Sequence, residues 1–361
     1  MNDRIQAVFQ TNPSNRGEVA VAPDLWSLYA LMLRSRLLEE SIAQLWHDGL
    51  ISGEMHLGTG EEAIIAGVVS QLREGDAMAL DHRGTAALLM RGVDPVLILR
   101  ELLGYSDGLC NGMGGHMHLF SREHLAASSG IVGSAGPAAA GFALSAECLR
   151  PKAIAVAFFG EGAMNQGMLM ESMNLASAWN LPVVFVCKDD NWSITTKSES
   201  MTGGNLDERA RGLGVPSVEL DGCDVSDVWE ASYSAIELAR SGHGPTFLHA
   251  RCVHLEGHLL GFQLIRAVGE PLGQMPGIAV PLTRSLLHSG GASLRQRVKG
   301  LGEVLGAVLS TLRDARRNSA NDPVARARKT LLANSVRLQK LESQIEKEIS
   351  GVLATALGEE P

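Results

Sequence analysis

The chain has 361 residues, enough for one large α/β domain with extensions or for two of average size. Hydrophobic residues make up 45% and charged residues 20%, which excludes a wholly disordered chain. With 31 Lys and Arg against 40 Asp and Glu, the net charge of −9 argues against a nucleic-acid backbone or an anionic membrane as main partner.

Residues 1–23 form a polar N-terminal arm with no signal-peptide core. Asp24 then caps a strongly periodic stretch, LWSLYALMLRSRLLEESIAQLWHDG, which is expected to be a helix stopped at Gly49. From 50 to 150, helical stretches alternate with glycine loops. One of them, SSGIVGSAGPAAAG, is small enough throughout to let a backbone approach another helix or a ligand. The apolar run AIAVAFF (153–159) reads as a buried parallel strand ending at Gly160-Glu161-Gly162. A helix with Leu169, Met173 and Ala176 on one side follows, and Pro182 introduces a second strand, VVFVC. That is a βαβ unit. Alternation continues through VEL (218–220), a helix near 225–241 and TFLHARCV (246–253).

Residues 24–265 are therefore expected to form an α/β domain of the doubly wound kind, with a mostly parallel sheet flanked by helices. Residues 266–320 read as a variable insertion with a basic helical stretch. Residues 321–361 read as a long helix, with Leu338, Leu341, Ile345, Ile349 and Val352 turned toward a core. No apolar run approaches the ~20 residues that span a bilayer. The five cysteines are dispersed, without a CxxC pair. Both features point to a cytoplasmic chain with reduced thiols.

The turn GEGAMNQG (160–167) is neither a dinucleotide fingerprint nor a Walker loop, since its glycines have the wrong spacing and no Lys-Ser/Thr follows. It does place an acid between two glycines at a strand's C-terminal end, leading into a helix whose N-terminus favours an anion. The next strand runs into Lys188-Asp189-Asp190-Asn191-Trp192. Neighbouring strand tips lie about 5 Å apart, so Glu161 and one of the two aspartates can share a hard cation. Mg²⁺ takes one or two carboxylates and fills its shell with water and phosphate oxygens. The local chemistry thus suggests a Mg²⁺–diphosphate site at the C-terminal edge of the sheet.

This sequence resembles the alpha subunits of thiamine-diphosphate-dependent 2-oxo acid and acetoin dehydrogenases. The likeness runs from GEGAMNQGMLMESMNLASAWNLPVVFVCKDDNWSITT through HLGTGEEA (56–63), DHRG (81–84), NGMGGHMHLF (111–120), GIVGSAGP (130–137), GPTFLHARCVHLEGH (244–258) and DPVARARKTLL (322–332). It implies thiamine diphosphate and Mg²⁺ as cofactors. Glu161 and Asp190 fall on the family's metal-ligand positions, and Trp192 on the residue that lends a backbone carbonyl. Gly160, Gly162 and Ala163 fall on the diphosphate turn, Arg83 on an arginine pairing with the diphosphate, and Gly130 and Val132 on backbone contacts to the aminopyrimidine. His258 falls on a loop histidine beside the reacting centre, the one catalytic residue so implied. His56, His116 and His118 are read as structural.

The resemblance also implies partners: a beta-type subunit that supplies the activating glutamate in an α₂β₂ assembly, a lipoyl acyltransferase as acceptor, and a small 2-oxo acid. Relatives commonly carry Asn where Asp190 stands, further histidines at Thr85 and Ala87, an arginine at His254, and a phosphorylatable serine at Leu259. These departures gather around the mouth of the site and leave two other readings open. One is a transketolase-like or acyloin-forming carboligase; the other is a non-catalytic scaffolding paralogue.

Overall fold

The computed structural model describes residues 23–193, 196–258, 260 and 320–358. Asp24 caps the first helix, α1 (Leu25–His47), accepting from the Trp26 N–H at 3.1 Å and so satisfying a donor that the helix itself cannot. The C-cap is Asp48, one residue before the expected Gly49, which reverses the chain at φ +79°. Next come α2 (Glu62–Val69), β1 (Ala77–Leu80), α3 (Thr85–Arg91) and α4 (Pro95–Leu102). They are followed by β2 (Phe120–Ser121), β3 (Ala126–Ser128) and α5 (Ala135–Leu149).

The expected βαβ unit is present as β4 (Ala155–Gly160), α6 (Gly167–Trp179) and β5 (Val183–Asp189). A small hairpin follows, β6 (Trp192–Ser193) with β7 (Thr196–Lys197). Then come α7 (Leu206–Gly212), β8 (Ser217–Asp221), α8 (Val225–Arg240) and β9 (Thr246–Arg251). Seven strands form one sheet in the order β2-β3-β1-β4-β5-β9-β8. Every neighbouring pair is parallel except β2–β3 at one edge. The chain is thus α/β with a mostly parallel sheet between helical layers.

Alternation along the strands explains their unbroken apolar runs. Val156, Phe158, Val184, Val186 and Leu248 enter a core shared with α1, α2, α3, α4 and α8. Ala155, Ala157, Phe159, Val183, Phe185 and Phe247 enter a second core with α5, α6 and α7. Both faces are buried, so no position on β4 or β5 calls for a polar side chain until the tips. The small residues of α5 serve close helix packing: a Cβ on Gly136 would stand 3.1 Å from the Leu169 Cα of α6. Of the two uses expected for that stretch, the structure shows the helix contact.

At the C-terminus the sequence reads as one long helix, but the structure has two: α9 (Pro323–Leu331) and α10 (Ser335–Leu357), joined by a 3₁₀ turn, Leu332–Asn334. Asn334 starts α10 by accepting from the Arg337 N–H. Leu338, Ile345 and Ile349 are buried, and Glu342 accepts from the Tyr29 hydroxyl of α1 at 2.7 Å. Arg36 of α1 bonds both oxygens of Asp322 at 3.0 Å. These helices pack on the body. The arm 1–23, apart from Pro23, and the insertion 266–320, apart from Ala320, lie outside the described residues, as does Leu259. Among the described residues no helix is long and apolar enough to cross a membrane.

Candidate active site

Parallel strands point their C-terminal tips at one edge, and β3, β1, β4, β5 and β9 are contiguous there. The segments leaving those tips are Ser129–Gly133, Asp81–Arg83, Glu161–Ala163, Asp190–Trp192 and Cys252–His258. In the β4–β5 register Gly160 stands opposite Lys188. Glu161 and Asp190 therefore leave adjacent tips. The structure brings Arg83, Gly130, Val132, Gly160, Glu161, Gly162, Ala163, Asp190, Trp192 and His258 to this one edge.

Side-chain alternation separates the two aspartates. Lys188 points toward the α1–α2 side, where its ammonium donates to Glu61 at 2.6 Å and pairs with Asp81 at 3.0 Å. Asp189 points to the opposite face and accepts from His249 Nε2 at 2.8 Å and from Arg251. Asp190 returns to the first side, with its carboxylate 2.7 Å from His254 Nδ1. Asn191 turns the chain at φ +64°, a conformation asparagine tolerates, and its side chain reaches Glu199 at 3.3 Å.

Buried charge dominates the electrostatics. Glu161 accepts from the Ser198 hydroxyl, yet burial and the nearby Asp190 carboxylate push its pKa up to about 8. Burial also works against the charge on Asp190, but His254 wins and holds that carboxyl below its ordinary value. His254 bridges Asp190 and Glu61, bonding the latter at 2.8 Å. Burial and the Arg83 charge disfavour its imidazolium, and the two carboxylates overcome them, raising its pKa to about 9. Glu61 is likewise opposed by burial and held well below the carboxylate range by Lys188, His254 and Arg83. Lys188 is pushed up to about 12, its burial outweighed by Asp81 and Glu61.

A wall of histidines stands beside these charges. His56 Nδ1 lies 3.0 Å from His116 Nε2, and the His56 ring packs edge-on against His82 and His258. Two loops are zipped together to place them: Met55 and Leu260 exchange both backbone bonds, and the Leu255 N–H donates to Thr59 at 3.2 Å. Gly60, at φ +103°, lets the loops meet, because a Cβ there would overlap the Val253 carbonyl oxygen. The loop carrying His116 is drawn in by the buried Glu101, which accepts from the N–H groups of Cys110, Gly112 and Gly114.

The turn expected to receive a diphosphate differs from expectation in one respect. Glu161–Asn165 is a 3₁₀ turn, and α6 starts only at Gly167, so Gly162 and Ala163 lie in the shorter element rather than at the α-helix N-terminus. The Gly133 backbone, at φ +89°, abuts Gln166, which joins the 130–133 loop to this turn. Val132 is exposed. The Arg83 guanidinium is buried and donates to the Leu57 and His258 carbonyls. Trp192 enters the β6–β7 hairpin with Lys197 over its ring.

Sequence reasoning missed Lys188, Glu61, Asp81, His82 and Ser198 as parts of the site. Glu61, Asp81 and His82 lie in the HLGTGEEA and DHRG motifs, and Lys188 closes an otherwise apolar strand, but none of the four was given a role. The donor set suits a hard divalent cation: two carboxylates leave adjacent tips, and burial together with the nearby Asp190 charge raises the proton affinity of Glu161.

The family model of the dehydrogenase E1 component matches residues 29–261. The alpha subunit of acetoin:2,6-dichlorophenolindophenol oxidoreductase from Cupriavidus necator is 38% identical over 249 residues, covering 68% of this chain and 75% of that protein. Its Bacillus subtilis counterpart is 37% identical over 239 residues, covering 66% and 72% respectively. The pyruvate dehydrogenase E1 component subunit alpha of Zymomonas mobilis is 35% identical over 238 residues, covering 65% and 67%.

Proposed function

The chain belongs to the dehydrogenase E1 component family, and on that premise we propose that it is the alpha-type subunit of a thiamine-diphosphate-dependent enzyme acting on a 2-oxo acid or acetoin. In this reading it works in an α₂β₂ assembly and passes the acyl unit to an acceptor such as a lipoyl acyltransferase. The observation that carries the reading is the β4–β5 register, which sends Glu161 and Asp190 out from neighbouring strand tips.

Glu161 and Asp190, with the Trp192 carbonyl, would hold Mg²⁺, and the N–H groups of Gly162 and Ala163 would receive the diphosphate. Thiamine diphosphate, when bound, would supply a nucleophilic thiazolium carbon for the substrate carbonyl and a positively charged ring able to take up the electron pair released on decarboxylation. Asp190 adds a negative charge next to a polyanion. The His254 imidazolium, held between Asp190 and Glu61, offsets it. Arg83 adds a buried positive charge. Burial and Arg83, against Asp190 and Glu61, lower the His258 pKa to about 4, so its imidazole is neutral at pH 7 and a weak base that readily releases a proton taken up at a ring nitrogen.

The test is reconstitution with a beta-type partner, followed by turnover of 2-oxo acids and of acetoin against an artificial electron acceptor. Activity that requires both chains, thiamine diphosphate and Mg²⁺ is expected. Transfer to aldehydes alone would turn the reading toward a carboligase. No cofactor binding in the assembled pair would leave the scaffolding alternative.

A further inference from the structure

Three of the wall's histidines form a cluster that the carboxylate chemistry does not use. We propose that His56, His82 and His258 make a tris-imidazole site for a borderline transition-metal cation such as Zn²⁺, bordering the Asp190 carboxylate, one oxygen of which lies within 4.8 Å of a His258 ring nitrogen. One ring nitrogen from each lies within 4.8 Å of the other two. The ring centroids are 4.5 Å apart for His56–His82, 5.7 Å for His56–His258 and 6.1 Å for His82–His258.

Three further observations point to a ligand. His56 Nδ1 is taken by His116, which fixes the ring and leaves Nε2 for coordination, the usual outer-shell arrangement of a metal-bound histidine. His82 Nε2 and His258 Nδ1 are buried and have no hydrogen-bond partner among the described residues, a costly state that a cation would relieve. All three rings are neutral at pH 7, as metal ligands must be. Burial lowers His56 and His82 to about 3 and His258 to about 4, with Arg83 adding to each; Asp81 opposes this at His82, and Asp190 and Glu61 oppose it at His258.

The chemistry of the donors selects the ion. Three imidazoles with an open fourth position suit Zn²⁺ at about 2.0–2.1 Å, whereas Mg²⁺ and Ca²⁺ take oxygen. Occupancy removes the lone pair of His258, so metal binding and proton transfer at that ring exclude each other. Zn²⁺ would therefore inhibit turnover. That consequence rests on the role proposed for His258, while the site itself rests only on the cluster.

Co²⁺ added to the full chain in excess Mg²⁺ provides the test, because four-coordinate Co²⁺ absorbs strongly in the visible and six-coordinate Co²⁺ weakly. The expected result is one strongly absorbing Co²⁺ per chain, displaced by Zn²⁺ but not by Mg²⁺. It should be lost in His56→Gln and in His82→Gln, each checked for folding by circular dichroism, and kept in Glu161→Gln and His254→Gln. His116→Gln should weaken binding about 10–100-fold. A weak spectrum that Mg²⁺ removes would place the ion on the carboxylates and overturn the proposal. So would a strong spectrum that survives His82→Gln, or one abolished by His254→Gln, which would assign it to Asp190, His254 and His258 instead.

Discussion

His249 and His258 lie on the same stretch of chain, with His254 between them, yet the sheet puts them in opposite electrostatic worlds. His249 lies on β9 with its Nε2 at 2.8 Å from Asp189 and its Nδ1 at 2.7 Å from Asp207. Burial disfavours its charge, but the two carboxylates prevail and raise its pKa to about 9. His258 leaves the tip of β9 among other imidazoles near Arg83, and its pKa falls to about 4. His249 is fully buried and His258 is half-buried. What differs is whether a carboxylate bonds the ring directly: Asp189 and Asp207 hold His249, whereas Asp190 and Glu61 near His258 are outweighed by burial and Arg83. Alternation along β5 separates the two settings by sending Asp189 to one face and Lys188 to the other. The first face carries a satisfied structural ion cluster; the second keeps neutral bases next to buried charge, an arrangement suited to chemistry.

The largest expected effect comes from removing the cation of the second face. Lys188→Met leaves Glu61 and Asp81 without their shared partner and should cost about 3–5 kcal/mol of stability, read by urea unfolding. An unchanged midpoint would show that His254 and Arg83 suffice to hold Glu61.

A smaller effect is expected on the first face, and it depends on pH. The folded pKa of His249 lies above its ordinary 6.5, so its contribution is complete below pH 6.5 and is lost as pH rises through about 9. It should amount to about 3 kcal/mol. His249→Gln should flatten the stability profile between those values; a profile as steep as the parent's would mean that other groups carry it.

The smallest effect is expected from Asp190→Asn, which removes one charge and keeps the shape. The His254 titration, followed by NMR, should move down from about 9, while Mg²⁺-dependent cofactor binding survives. Complete loss of that binding would remove Asp190 from the arrangement as described.

The legible part of the sequence was the part governed by neighbours in the chain. AIAVAFF and VVFVC announced two strands buried on both faces, and GEG followed by the acidic turn announced the tips. The split between α9 and α10 was hidden, because the apolar spacing runs on through 332–334. Most of the site was hidden for a different reason. Lys188 meets Glu61 127 positions away in sequence, and His254 meets Glu61 193 positions away. His56, His82, His116 and His258 sit in four separate segments, each bland alone, and only the strand order gathers them.

The proposed function depends on a hard cation held by Glu161 and Asp190 at neighbouring strand tips. Calorimetric titration of thiamine diphosphate into the assembly with its beta-type partner, with and without Mg²⁺, tests this most directly. Binding should require Mg²⁺ and weaken by about a hundredfold or more in Glu161→Gln. Equal affinity in the presence of a chelator, or an affinity indifferent to that substitution, would contradict it.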